Sequence, residues 1–149
     1  MSLPYDLHAS LGYQLTLLSR INERKFEQNL APLGLTRVKW CVLLAVQEHG
    51  LKNPSDIAEY IGIDRTATSR ALRALDSDGL ISRCSGADDK RMTEVALTDQ
   101  GHQVLGRSID AAKSNANHFT DKLSWYERTT LTEIINKLMK GETRDVSGL

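Results

Sequence analysis

Five side chains that donate hydrogen bonds, Arg65, Thr66, Ser69, Arg70 and Arg73, fall within one short segment. At helical spacing they take the outer and N-terminal surface, while Ala67, Thr68, Ala71, Leu72 and Leu75 line the other side. Donors of this kind suit nucleic acid: hydroxyls and a helix N-terminus bind phosphate oxygens, and a guanidinium can take a guanine edge through two hydrogen bonds. A merely solvated amphipathic helix uses the same residue types, so the segment alone does not decide. Its acids gather at the far end, at Asp76 and Asp78, which is expected to point away from DNA. A second charged group follows in "GADDKRMTEVALTDQG", residues 86–101. Arg91 has the chemistry to enter a narrow, negatively charged minor groove, and Lys90 that of a phosphate contact. Asp89, two residues from Arg91 on the same side of a hairpin, can hold the guanidinium in one pose. An exposed pair of this sort contributes little stability, commonly under ~1 kcal/mol, so orientation is the better explanation.

The elements that must position these residues follow from caps and periodicity. Asn53 caps a helix with Pro54 at its first position, Ile57, Ala58 and Ile61 face inward, and Gly62 breaks it. A second helix over residues 65–78 stops at Gly79, so the pair reads as a helix-turn-helix in which the small Ala58 lets the helices cross closely. Residues 80–84 and 91–97 read as two strands around a turn at 85–89, a β-hairpin that completes a winged helix. Upstream, a helix from residue 6 to about 30 carries Leu7, Leu11, Leu15, Leu18 and Ile21 on one stripe, and Pro32 and Gly34 end it. Thr36 caps the next helix, which runs through Trp40, Leu43, Leu44 and Val46 to Gly50. Downstream, Thr98 caps a long helix with a seam of Leu105, Ile109, Ala112, Ala116, Phe119 and Leu123. Ser124-Trp125-Tyr126-Glu127 is a capping box that opens a last helix with Leu131, Ile134, Ile135 and Leu138 expected inside. The fold class is therefore mainly α with a small β-wing, a winged helix-turn-helix flanked by N- and C-terminal dimerisation helices. The terminal seams hold more apolar surface than one winged helix can cover, which predicts a homodimer.

Composition narrows the classes further. The 149 residues fit one domain, with 40% hydrophobic and 26% charged residues as in ordinary globular proteins. Net charge is zero, so binding to nucleic acid has to come from a local basic surface rather than from bulk charge. Cys41 and Cys84 form no CxxC spacing, and His8, His49, His102 and His118 show no metal spacing, so neither a metal nor another cofactor is expected. Cys41, beside Trp40 on an apolar helix, reads as a structural residue rather than a redox sensor. No signal-peptide pattern opens the chain, and the longest apolar run, residues 40–46, is too short to cross a bilayer. A cytoplasmic protein with no membrane partner is expected. Trp40, with Tyr13, Arg20 and Arg37 as polar lining, is the candidate set for an effector pocket, although a tryptophan on an apolar stripe is more often core.

Asp89-Lys90-Arg91, followed by Leu97-Thr98 and Gly101, resembles the D-x-R-x-x-x-x-x-L-T-x-x-G signature of MarR-type transcriptional regulators. "LTRVKWCVLLAV" and "GIDRTATSRALRALDSDGLISR" extend the resemblance over almost the whole chain. It implies a single MarR-like domain over residues 1–149, with 36–98 as the DNA-binding lobe and 5–33 and 99–140 as the dimerisation region. It further implies a triangular obligate homodimer on double-stranded DNA, acting as a repressor on a pseudo-palindromic operator. By the same resemblance Ser69 and Arg70 contact the operator, Arg91 enters the minor groove supported by Asp89, and a small aromatic or phenolic carboxylate acts as effector. Two departures stand out: Thr68 replaces a common apolar β-branched residue, and the first helix lacks the reactive cysteine of peroxide-sensing relatives. The competing reading is a winged-helix module that binds protein; its interface would favour exposed apolar anchors over arginines and hydroxyls. No glycine-rich phosphate loop, metal set or nucleophile–base spacing speaks for an enzyme.

Overall fold

The computed structural model describes residues 4–86 and 93–143. Six helices and one two-stranded antiparallel sheet account for the regular structure among them. The first helix, α1, spans Leu11–Leu30 and so begins five residues later than its apolar stripe predicts. The Asp6 carboxylate accepts the amides of His8 and Ala9, which turns the chain locally, and the Ser10 hydroxyl then caps the helix by accepting from Tyr13 N–H. A short 3-10 turn, Ala31–Leu33, and Gly34 lead into α2, Arg37–His49, capped by Thr36 and closed by Gly50 as expected.

The helix-turn-helix is α3, Pro54–Ile61, followed by α4, Arg65–Ser77. Its turn needs Gly62, which adopts φ 77° while its N–H still bonds the Ala58 carbonyl. Ile57, Leu72 and Leu75 are fully buried together with Leu30 and Leu43, so the crossing of α3 and α4 forms the centre of the core. Thr68 is buried as well, and its hydroxyl donates to the Asp64 carbonyl one turn back. That local bond satisfies the polar group and leaves the methyl for packing, which is how the departure at this position is accommodated.

Strands β1, Ile81–Ser85, and β2, Thr93–Leu97, pair from Ile81 opposite Leu97 to Ser85 opposite Thr93. Both are slightly offset from the expected segments. The wing tip, including Asp89, Lys90 and Arg91, lies outside the described residues. The hairpin is tied back to the helix-turn-helix where Val95 N–H donates to the Lys52 carbonyl just before α3.

The L-T-x-x-G stretch is the joint between hairpin and α5, Asp99–Thr120. Thr98 N–H donates to the Leu80 carbonyl, its hydroxyl donates to the Gly79 carbonyl at 2.6 Å, and the same oxygen accepts from Gly101 N–H. Gly101 packs so closely on the start of β1 that a Cβ there would meet the Leu80 carbonyl oxygen at 2.0 Å. Thr98 and Gly101 thus lock the base of the hairpin.

α1 packs along α5, with a hydrogen bond from Asn115 Nδ2 to Asn22 Oδ1 inside the contact. The last helix, α6, Trp125–Met139, opens with the expected capping box. The Ser124 amide and hydroxyl hold the Glu127 carboxyl below its usual range. One expectation is corrected here. Leu131, Ile134, Ile135 and Leu138 do not lie inside but are 42–49% exposed, because none of the described elements covers that face of α6. Leu7, Leu11, Leu15, Leu18 and Ile21 are likewise 47–58% exposed. Among the described residues, no single helix is long and apolar enough to cross a membrane.

Candidate nucleic-acid interface

Burial on one side of α4 decides what the other side presents. With Thr68, Ala71, Leu72 and Leu75 packed inward, Arg65, Thr66, Arg70 and Arg73 stand exposed and Ser69 half-buried on the outer surface. The helix N-terminus carries an acid, Asp64, but its carboxylate accepts the Ala67 amide at 2.7 Å as the N-cap. At the opposite end, Asp78 is paired with Lys39 of α2 at 2.8 Å. The positive side chains therefore lie between two acids that are each engaged elsewhere, and a net-neutral chain keeps a locally basic helix surface.

Arg73 departs from a freely extended cation. Its guanidinium folds back one turn, with one nitrogen 3.1 Å from the Ser69 hydroxyl oxygen and Nε bonded to the Ser69 carbonyl. On the hairpin, β1 exposes Arg83, a further cation that the reading of the chain passed over as an ordinary strand residue. Cys84 is exposed beside it, and its Sγ is 3.9 Å from the Glu94 carbonyl.

A second feature lies where α1 meets the start of α2. A cleft of about 370 Å3 is lined by Arg20, Glu23, Arg24, Glu27, Arg37 and Val38. Another of about 300 Å3 shares Glu23 and Arg37 and is otherwise lined by Leu15, Leu18, Ser19 and Asn22. Arg37 bridges the two helices: its guanidinium is 3.5 Å from Glu23, and its amide donates to Glu27 at 2.7 Å. The structure thus brings Arg20 and Arg37 together but leaves the other two candidates outside these clefts. Tyr13 meets His8 at a tilted angle near the start of α1, and Trp40 packs edge-on against Phe26 at the core margin. Glu23, Arg24 and Glu27 were not anticipated. Their spacing with Arg20 follows a helical face, but a mixed-charge face ordinarily reads as solvated.

Burial pushes the Cys41 thiol pKa up, with the nearby Arg37 opposing it in part, so the thiolate is disfavoured where a redox sensor needs it. Among the described residues no three His, Cys, Asp or Glu side chains gather as metal ligands.

Comparison with known proteins agrees with this geometry. The MarR family model matches residues 33–92, which run from the end of the 3-10 turn through the helix-turn-helix into the wing. The helix-turn-helix-type transcriptional regulator YdgJ of Bacillus subtilis is 28% identical over 130 residues, 87% of this chain and 77% of that protein. A mutant of Escherichia coli MarR solved with operator DNA superposes with a TM-score of 0.82 at 24% identity, covering 91% of this chain and 99% of that one. Bordetella bronchiseptica BpsR, whose DNA binding is regulated by 6-hydroxynicotinic acid, superposes at 0.84 with 20% identity, covering 94% and 100%. A buried helix-turn-helix with a basic outer face and a hairpin locked by Thr98 and Gly101 make up the lobe that the MarR family model matches, so this lobe is similar to that of MarR-family proteins.

Proposed function

We propose that the protein is a cytoplasmic, non-enzymatic transcriptional repressor that binds a pseudo-palindromic operator as a homodimer. Residues 36–98 form the DNA-binding lobe, and 5–33 and 99–140 form the dimerisation region. The observation that carries this reading is the outer face of α4, where Arg65, Thr66, Ser69, Arg70 and Arg73 surround a helix whose other side is sealed in the core. Lys90 and Arg91 at the wing tip extend the same surface to the backbone and the minor groove, with Asp89 aiming Arg91. The uncovered apolar faces of α1 and α6 support the dimer, since contiguous exposed apolar surface of this kind marks an interface. Sedimentation at micromolar concentration is expected to show a species of twice the 16.6 kDa chain mass, and a stable folded monomer removes the two-half-site geometry.

An aromatic carboxylate is the effector class this reading favours. The cleft at the α1–α2 junction carries Arg20, Arg24 and Arg37 against two glutamates, and it joins the dimerisation helices to the DNA-binding lobe. The compound that regulates BpsR, 6-hydroxynicotinic acid, belongs to that class.

Titration of one operator with wild type, both wing single mutants and their double mutant tests the DNA-binding assignment. Arg91→Ala is expected to weaken binding by ~1–3 kcal/mol, the scale of one specific contact. Asp89→Ala should weaken it too, although simple Coulomb reasoning predicts the opposite sign for removing an acid near DNA. The double mutant should bind about as Arg91→Ala does, because an aiming residue then has nothing to aim. Tighter binding by Asp89→Ala overturns the orienting role and leaves the tip as a solvated turn.

A further inference from the structure

A serine hydroxyl has one proton to donate and two lone pairs to accept with, so by itself it does not discriminate between a donor and an acceptor on a base. Ser69 does not keep that ambiguity. Its oxygen lies 3.1 Å from an Arg73 guanidinium nitrogen, and its carbonyl accepts from Arg73 Nε at 3.4 Å. Two bonds to one turn of helix fix the guanidinium against Ser69 rather than toward Asp76, three residues further along the same helix. No acceptor among the described residues takes the Ser69 proton. The neighbouring Thr68, by contrast, spends its proton on the Asp64 carbonyl. A cation on the oxygen withdraws electron density and strengthens the outward O–H as a donor.

Resting on the DNA-binding reading above, we infer that Arg73 is a positioning residue that sets the polarity of Ser69, so that Ser69 reads an acceptor edge of one base per half-site. The acceptors available in the major groove are purine N7, guanine O6 and thymine O4; the amino groups of adenine and cytosine are donors and do not fit. Arg73 thereby acts on sequence preference through Ser69, whereas a guanidinium extended to a phosphate acts on overall affinity.

The test selects the preferred operator from a randomised duplex pool and then titrates it and its single-base variants. Wild type, Ser69→Ala, Arg73→Ala, Arg73→Gln and the Ser69→Ala/Arg73→Ala double mutant are compared, with equal melting temperatures confirming the fold. Ser69→Ala is expected to relax the preference at one base pair per half-site by roughly tenfold, the scale of one base contact. Arg73→Ala should relax the same position by a similar factor, and the double mutant no further. An analogue of that base lacking the acceptor atom should abolish the preference in wild type and change nothing in Ser69→Ala. Arg73→Gln keeps an amide donor for the Ser69 oxygen without the charge. It should restore the preference, while the slope of affinity against salt stays as in wild type in both Arg73 variants, because a guanidinium held on Ser69 neutralises no phosphate.

If Arg73→Ala weakens every duplex by one common factor and keeps the wild-type preference, Arg73 is a phosphate contact and the proposal is overturned. A preference abolished by removing an amino group instead of an acceptor overturns it as well. A wild type that selects no sequence overturns the DNA-binding reading itself, and the role of Arg73 with it.

Discussion

Gly101→Ala is expected to destabilise the fold by about 3 kcal/mol, the upper end of the usual overpacking penalty. Two effects oppose each other at this position. Gly101 lies inside α5, where replacing glycine by alanine ordinarily stabilises a helix by ~1 kcal/mol. The added Cβ, however, would lie 2.0 Å from the Leu80 carbonyl oxygen and 3.0 Å from its carbon. Both are backbone atoms, so no rotamer change relieves the overlap. Moving Leu80 away breaks the bond its carbonyl accepts from Thr98 N–H, and moving α5 away breaks the bond that the Thr98 hydroxyl donates to the Gly79 carbonyl. Sterics should therefore exceed propensity. In thermal unfolding the melting temperature should fall on the order of 10 °C for a chain of this size. Gly106, in the same helix with open space where its Cβ would be, supplies the opposite case. Gly106→Ala is expected to stabilise by ~0.5–1 kcal/mol. An unchanged or raised melting temperature for Gly101→Ala removes the argument that the close approach dictates this residue.

Operator affinity should fall on the order of a thousandfold or more between about 50 and 200 mM salt if a dimer neutralises roughly 6–10 phosphates. The cations concerned are Arg65 and Arg70 on α4, with Lys90 and Arg91 at the wing, each present twice in a dimer. The chain as a whole has no net charge, so long-range attraction of the whole molecule contributes nothing to this slope. It has to come from counterions released locally at the basic face. A flat response across that range means the face does not meet a polyanion, and the module that binds protein becomes the better reading.

Local signals carried most of the fold. Thr36, Asn53, Thr98 and Ser124 are the caps that their side chains and positions announce, and Gly50 and Gly62 close the helices they follow. Each is a short-range hydrogen-bonding or backbone preference, which a sequence states directly. What failed was what depends on partners far along the chain or outside it. The stripe of α1 begins at Leu7, yet Asp6 takes the His8 and Ala9 amides into a local turn and Ser10 caps the helix by accepting from Tyr13 N–H, which delays its start. The apolar face of α6 has the right spacing for a core, but spacing does not say whether the covering surface is in the same chain. At the site, the donors of α4 were legible from their positions opposite a buried stripe. The turn of Arg73 onto Ser69 was not, because it is a rotamer choice between a hydroxyl and a carboxylate that share one helix face. Glu23, Arg24 and Glu27 were missed for a related reason: charges at helical spacing look alike whether they face water or a cleft.

The packing of α1 along α5 also sets an order of events during synthesis. α1 is made first, but the helix it rests on begins only at Asp99, after the whole winged-helix lobe has left the ribosome. At translation rates of about 5–20 residues per second, α1 waits several seconds without the helix it packs along. The lobe between them holds most of the buried core and can close in that interval. The nascent chain therefore passes through a state with a finished winged-helix lobe and a first helix that has not yet met α5. In that state it is most open to chaperones and to a sister chain emerging on the same messenger.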